Sequence, residues 1–200
     1  GGANPVTTPL TQRVLAQDTR AIEVQAERIE DSGLPLLSIV LIDDGSGIPR
    51  DQLKNIQVPV SIAIDPTRAA AAEAAQEYRA NGLEVVALLD GLAETATPTD
   101  MEVTMEAFFN AMTETVAVLD PTDARLQKNR ALLASVLGVV KRSGHGVITY
   151  DQGLNAAQQA AARQGVPSAA IFRVVDAEDE KAPKIKRYLE RAAFNANRDG

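Results

Sequence analysis

The 200-residue chain has no cysteine and no tryptophan, and only one histidine. Without cysteine there are no disulfides, no thiolate zinc sites and no cysteine nucleophile. Aromatic residues make up 4% of the chain, too few to pave a glycan cleft with stacking rings. No run of Lys or Arg interrupts a net charge of −7. Phosphate backbones carry the same sign, so nucleic acid is not an expected partner. The densest basic stretch, Lys184 to Arg191, alternates with apolar and acidic residues as a solvated helix face does. No apolar stretch approaches the ~18 residues that span a bilayer, and no signal-peptide pattern is present. Gly1-Gly2 reads as an artificial addition that replaces a natural N-terminus.

What is present is ordinary for a globular chain: 45% hydrophobic and 24% charged residues, at a length that suits one domain. Residues 1–35 read as an N-terminal arm, with helical composition from Leu10 to Ile29. Residues 36–200 read as the domain proper. Within it, Leu36–Ile42 is a continuous apolar, β-branched run, which predicts a strand buried on both faces. Further strands are predicted over Val58–Ile64, Leu83–Leu89, Val116–Leu119, Gly146–Tyr150 and Ser168–Val175. Between them the sequence predicts a short helix opened by Ser46-Gly47-Ile48-Pro49, then helices over Arg68–Asn81, Thr97–Thr113, Leu126–Ser143 and Leu154–Gln164. A last helix covers Ala182–Asn197. Thr97-Pro98-Thr99-Asp100 is a helix start, with proline at the first helical position and an acid in the first turn. Gly82, Gly144 and Gly165 stand where helix C-terminal caps belong. Strand and helix alternate six times, which implies a parallel sheet with crossover helices. A doubly wound sheet and a closed barrel both satisfy that pattern.

Each predicted strand is followed by aspartate: Asp43-Asp44, Asp65, Asp90, Asp120, Asp151 and Asp176. In parallel α/β folds the C-terminal strand ends share one rim, where active sites lie. Asp after a strand also caps the next helix or closes an Asx turn, and Asp65, Asp120 and Asp151 suit that role. The Asp43-Asp44 pair exceeds what a cap requires. Two close carboxylates repel and need a cation or a shared proton. Gly45-Ser46-Gly47 fails the dinucleotide fingerprint at its third glycine. His145, between Gly144 and Gly146, falls in a helix-to-strand turn at the opposite rim, so a Ser-His-Asp triad is not expected.

Ser38 to Gly45 (SIVLIDDG) resembles the first strand of the divergent polysaccharide deacetylases, within the NodB-like deacetylase clan. Val58 to Pro66 resembles their second strand, and Asn155-Ala156-Ala157, Gly165-Val166-Pro167 and Val174-Val175-Asp176 resemble later segments. The resemblance implies an irregular (β/α)7-type barrel. The family continues with a further strand where this chain ends, so an open seam is expected. It also implies a base at Asp43 and a metal ligand at Asp44. The family's two metal-binding histidines have no counterpart, because Leu89-Asp90-Gly91-Leu92 and Leu119-Asp120-Pro121 stand in their places. An all-oxygen site at Asp44, Asp90 and Asp120 would favour Mg²⁺, Mn²⁺ or Ca²⁺ over Zn²⁺, or no cation is held. Asp65, Asp151 and Asp176 are the candidate substrate-binding residues.

The function expected from this resemblance is a cell-envelope protein of carbohydrate metabolism that has lost zinc-dependent deacetylation and acts by binding a glycan or an envelope protein. The alternatives are a metal-dependent hydrolase with a carboxylate-rich site, and a structural or regulatory interaction domain. A periplasmic or inner-membrane-anchored location facing the periplasm follows from the resemblance alone.

Overall fold

A computed structural model describes residues 21–26, 33, 36–45, 50–53, 55–56, 58–93, 95–151 and 156–199 of the protein. Ser46-Gly47-Ile48-Pro49, Leu154, Asn155 and most of the N-terminal arm lie outside the described residues. Six strands form one sheet: β1 (Val40–Asp43), β2 (Ser61–Ile64), β3 (Glu84–Leu88), β4 (Thr115–Leu119), β5 (Gly146–Tyr150) and β6 (Ser168–Ile171). All neighbours are parallel, and their order is the order of the sequence. A doubly wound sheet reverses its strand order at a switch point. This sheet has no reversal and curls as a half-barrel, the wall of an incomplete (β/α) barrel.

The described helices are α1 (Ala21–Gln25), α2 (Arg50–Leu53), α3 (Ala71–Ala80), α4 (Pro98–Ala111), α5 (Arg125–Lys128), α6 (Arg130–Ser143), α7 (Ala156–Gln164) and α8 (Ala182–Asp199). A 3-10 turn covers Leu89–Gly91. α4 starts as its sequence predicts. The Thr97 hydroxyl accepts from the Asp100 N–H at 3.2 Å, and the Asp100 carboxylate accepts from the Thr97 N–H at 3.0 Å. The single helix predicted over Leu126–Ser143 is two helices. Asn129 leaves helical geometry (φ −122°, ψ 96°), and its side chain accepts from the Leu132 N–H at 3.0 Å, so it caps α6. α6 then ends at Gly144 (φ 73°), where the His145 N–H reaches back to the Val140 carbonyl at 3.0 Å. The same left-handed glycine and reach-back bond occur at Gly82 and Gly165. One local device thus turns three helices back into strands.

Each strand offers alternate residues to two layers. Ile62, Ile64, Val85, Ala87, Leu89, Val118 and Val147 face the helices and are buried against Tyr78, Met101, Met105, Val136 and Leu137 among others. Ala63, Val86, Leu88, Ala117 and Leu119 face the interior of the half-barrel. Ala63, Val86, Ala117 and Gly146 are successive partners across four strands. The Ile22 side chain settles on this row of small residues: a Cβ on Gly146 would lie 3.4 Å from Ile22 Cδ1. The Ile22 N–H also donates to the Gly144 carbonyl at 3.1 Å. Residues 21–26, a described part of the N-terminal arm, close the inner face near the N-terminal rim.

The edges depart from expectation. β1 begins only at Val40, and Ile42 is 44% exposed, so this strand is not buried on both faces. β6 stops at Ile171, and Phe172 and Val174 are exposed. Both are edge strands of an open sheet, and their apolar composition is matched by a covering layer on only part of their surface.

Candidate functional site

The C-terminal strand ends bring the predicted carboxylates to one rim, and each is built into a loop. Asp43 pairs with Ile64, whose side chain belongs to the helix layer, so strand alternation turns Asp43 toward α3. Its carboxylate accepts from the fully buried Tyr78 hydroxyl at 2.7 Å and from the Gly45 N–H at 2.8 Å. The Arg68 guanidinium donates to the Asp43 carbonyl oxygen and stands 3.8 Å from its carboxylate. The residue expected as catalytic base is a clamp between β1 and α3, directed away from the half-barrel interior. Asp44 follows on the opposite side of the strand end and is exposed.

Asp65 closes a turn, accepting from the Thr67 N–H at 2.9 Å and the Thr67 hydroxyl at 2.7 Å. Gly91 from the next loop packs on that turn. A Cβ there would lie 2.4 Å from Thr67 Cγ2 and 2.7 Å from the Asp65 carboxylate, so only glycine fits without displacement. Asp90 accepts from the Thr122 N–H at 2.7 Å, which ties the loop after β3 to the loop after β4. Arg125 adds a second tie, donating to the Leu92 carbonyl at 2.6 Å. It also bonds the Asp123 carboxylate at 3.0 Å, and this hydrogen bond holds the Asp123 carboxyl below the usual range. Gln127 donates to the Tyr150 carbonyl at 2.8 Å and links the following pair of loops.

Asp120 is fully buried. One carboxylate oxygen accepts from the Leu126 N–H at 3.1 Å, and the other has no hydrogen-bond partner among the described residues. Burial pushes this carboxyl up to about 6, against the pull of the Leu126 N–H. The Asp123 charge adds to the rise, and Arg125 and Lys128 oppose it. Leu119 pairs with Ile148, so Asp120 comes opposite Thr149, whose buried hydroxyl is also without a partner among the described residues. Burial, then the charges of Asp90 and Asp120, raise the Tyr150 phenol. Asp90, Asp120 and Tyr150 thus share one electrostatic neighbourhood. Asp151 is exposed at the end of β5. Asp176, also exposed, lies five residues past the end of β6 and is not a strand-end residue.

These carboxylates do not fit the divalent metal that the family resemblance implies. Among the described residues no three Asp, Glu or His side chains come together as ligands, and Asp44, Asp90 and Asp120 do not form one set. The single imidazole is at the other end of the molecule. His145 is stacked on Phe109 with ring centroids 3.7 Å apart, between the Thr115 hydroxyl at 3.3 Å and the Ser143 hydroxyl at 2.8 Å. Burial lowers its pKa to about 4.

The reading of the sequence found the strand-end acids but missed Tyr78, Arg68, Thr122 and Arg125 as their partners. The Asp43–Tyr78 and Asp90–Thr122 pairs are 35 and 32 residues apart, beyond any local pattern. The in-order parallel sheet and its loop-bearing rim define an open α/β barrel-type protein. The sequence profile of the divergent polysaccharide deacetylase family matches residues 40–200, and the chain belongs to that family. No curated protein matches the sequence. The crystal structure of an uncharacterized protein from Agrobacterium tumefaciens C58 has the same fold, with a TM-score of 0.70 and 17% identity. The match covers 90% of this chain and 80% of that one.

Proposed function

We propose that this protein serves carbohydrate metabolism at the cell envelope by binding a glycan at the C-terminal rim, without metal-dependent deacetylation. The observation that carries this reading is the commitment of the rim acids. Asp43 is engaged by Tyr78 and Gly45, Asp65 by Thr67, Asp90 by Thr122 and Asp120 by Leu126. A metal-ligand set needs carboxylates that converge on one point, and such loop ties direct them apart. Exposed Asp44 and Asp151 with half-buried Tyr150 add a polar surface suited to sugar hydroxyls. The envelope location rests on the family and is part of the proposal.

The test is titration of chito-oligosaccharides and peptidoglycan fragments into isotope-labelled protein, followed by amide shifts. The reading expects shifts around Asp44 and Tyr150 that weaken in Asp44→Asn, and no acetate release when Mn²⁺ or Zn²⁺ is added. Acetate release would establish the hydrolase reading instead. Absence of any glycan-induced shift would leave an interaction domain that binds protein.

A further inference from the structure

We infer that the outward face of α8 is a docking surface for an anionic lipid bilayer. At about 100° per residue, Ile185, Tyr188, Leu189, Ala192 and Ala196 fall on one side of the helix; all five are half-buried, and Arg173 stands over the Tyr188 ring at 3.8 Å. Arg187, Arg191, Phe194 and Arg198 recur at i, i+4, i+7 and i+11 and share a stripe roughly 60° wide on the other side. All four are exposed, and Phe194, 66% exposed, lies along the helix between Arg191 and Arg198. On the same helix Lys184 pairs with Glu180 at 3.3 Å and Lys186 with Glu190 at 3.8 Å. α8 holds five basic and two acidic residues on a chain whose net charge is −7. Positive charge is therefore gathered on one rod of an otherwise acidic molecule.

Charge complementarity makes the partner anionic, and the shape of the patch favours lipid over protein. A standard protein interface needs about 800 Å² from each side with an apolar centre. Here a single exposed ring is flanked along the helix by Arg191 and Arg198. A helix about 27 Å long, lying along a membrane surface, can set several arginines against phosphates while a single ring enters the headgroup layer. Each arginine near such a surface contributes about fivefold to partitioning, and the phenyl ring about tenfold. The result is weak, reversible and salt-sensitive attachment. It is independent of the glycan reading, because α8 provides none of the rim residues.

The experiment is co-sedimentation of the full chain with phosphatidylcholine vesicles containing roughly one-third phosphatidylglycerol, at low salt and at about 0.5 M salt. Binding is expected only with the anionic lipid and only at low salt. Phe194→Ala should reduce it about tenfold, and Arg187→Gln with Arg191→Gln about twentyfold. Lys141→Gln with Arg163→Gln, which removes the same charge from exposed positions on other helices, should leave it unchanged. Failure of the wild-type chain to bind, or equal losses in the control pair, would overturn the inference. Both α8 variants alter exposed side chains, and unchanged melting temperatures separate loss of docking from loss of fold.

Discussion

Replacing Asp120 with asparagine measures what a charged group beneath the rim costs the fold. The carboxyl has a pKa of about 6 in the folded chain against 3.8 for the ordinary group, chiefly through burial. A difference of that size corresponds to about 3 kcal/mol between the two protonation states. The folded pKa is raised, so the favourable contribution is fully present below pH 3.8 and is lost as pH rises through about 6. Above that, the folded chain carries a buried carboxylate with one oxygen unpartnered. Asparagine keeps an oxygen for the Leu126 N–H, and its amide nitrogen can donate where Thr149 now has no partner. Asp120→Asn should therefore stabilise the protein at pH 7.5 by about 1–3 kcal/mol, or up to roughly 10 °C in Tm for a chain of this size. Near pH 4 the two proteins should unfold within about 1 kcal/mol of each other. Urea unfolding across pH 4–8 reads both. If Asp120→Asn is less stable at pH 7.5, or if its advantage is the same at every pH, burial of this carboxyl does not cost the fold as argued.

The His145 pKa is lowered to about 4 from 6.5, so its contribution is fully present above pH 6.5 and is lost as pH falls toward 4. Asp120 works in the opposite direction over nearly the same interval, and wild type should show little net slope there. Acid destabilisation of about 3 kcal/mol should emerge in Asp120→Asn and disappear again when His145→Gln is added, both read by unfolding at fixed pH steps. Tyr78→Phe removes the donor to the Asp43 carboxylate and should cost about 1–3 kcal/mol, measured as a lower urea midpoint with unchanged slope. Gly91→Ala forces a methyl group into the Thr67 turn and should cost about 1–3 kcal/mol. Thr67→Ala should recover part of that loss in a double-mutant cycle, and strict additivity would argue against the contact.

The strand positions were legible because β-branched apolar runs are bounded by Gly, Pro and Asp along the whole chain. Gly144 and the Thr97–Asp100 box were legible for the same reason: their partners lie within five residues. What escaped the sequence depends on neighbours far along the chain. Leu36–Ile42 has the composition of a buried strand, but burial depends on what lies beside and above it, and β1 lies at an edge. The split at Asn129 follows from a side chain that competes with the helix for its own backbone. The rim position of the aspartates followed from the repeating pattern. Which face each acid takes follows from the phase of alternation at its strand end, and a shift of one residue would exchange Asp43 and Asp44.

The contact between Ile22 and the turn at Gly144 has a kinetic consequence. Strands adjacent in the sheet are adjacent in the sequence, joined by loops and one or two helices, so each pairing closes a modest length of chain. The Ile22 N–H bond to the Gly144 carbonyl instead closes a loop of more than about a hundred residues, and such closures come late. The sheet should then assemble first with its inner floor wet, and the N-terminal turn should dock on it last. Pulse-labelling hydrogen exchange during refolding would show the β3 and β4 amides protected before the Ile22 amide. Simultaneous protection would make that turn part of the nucleus.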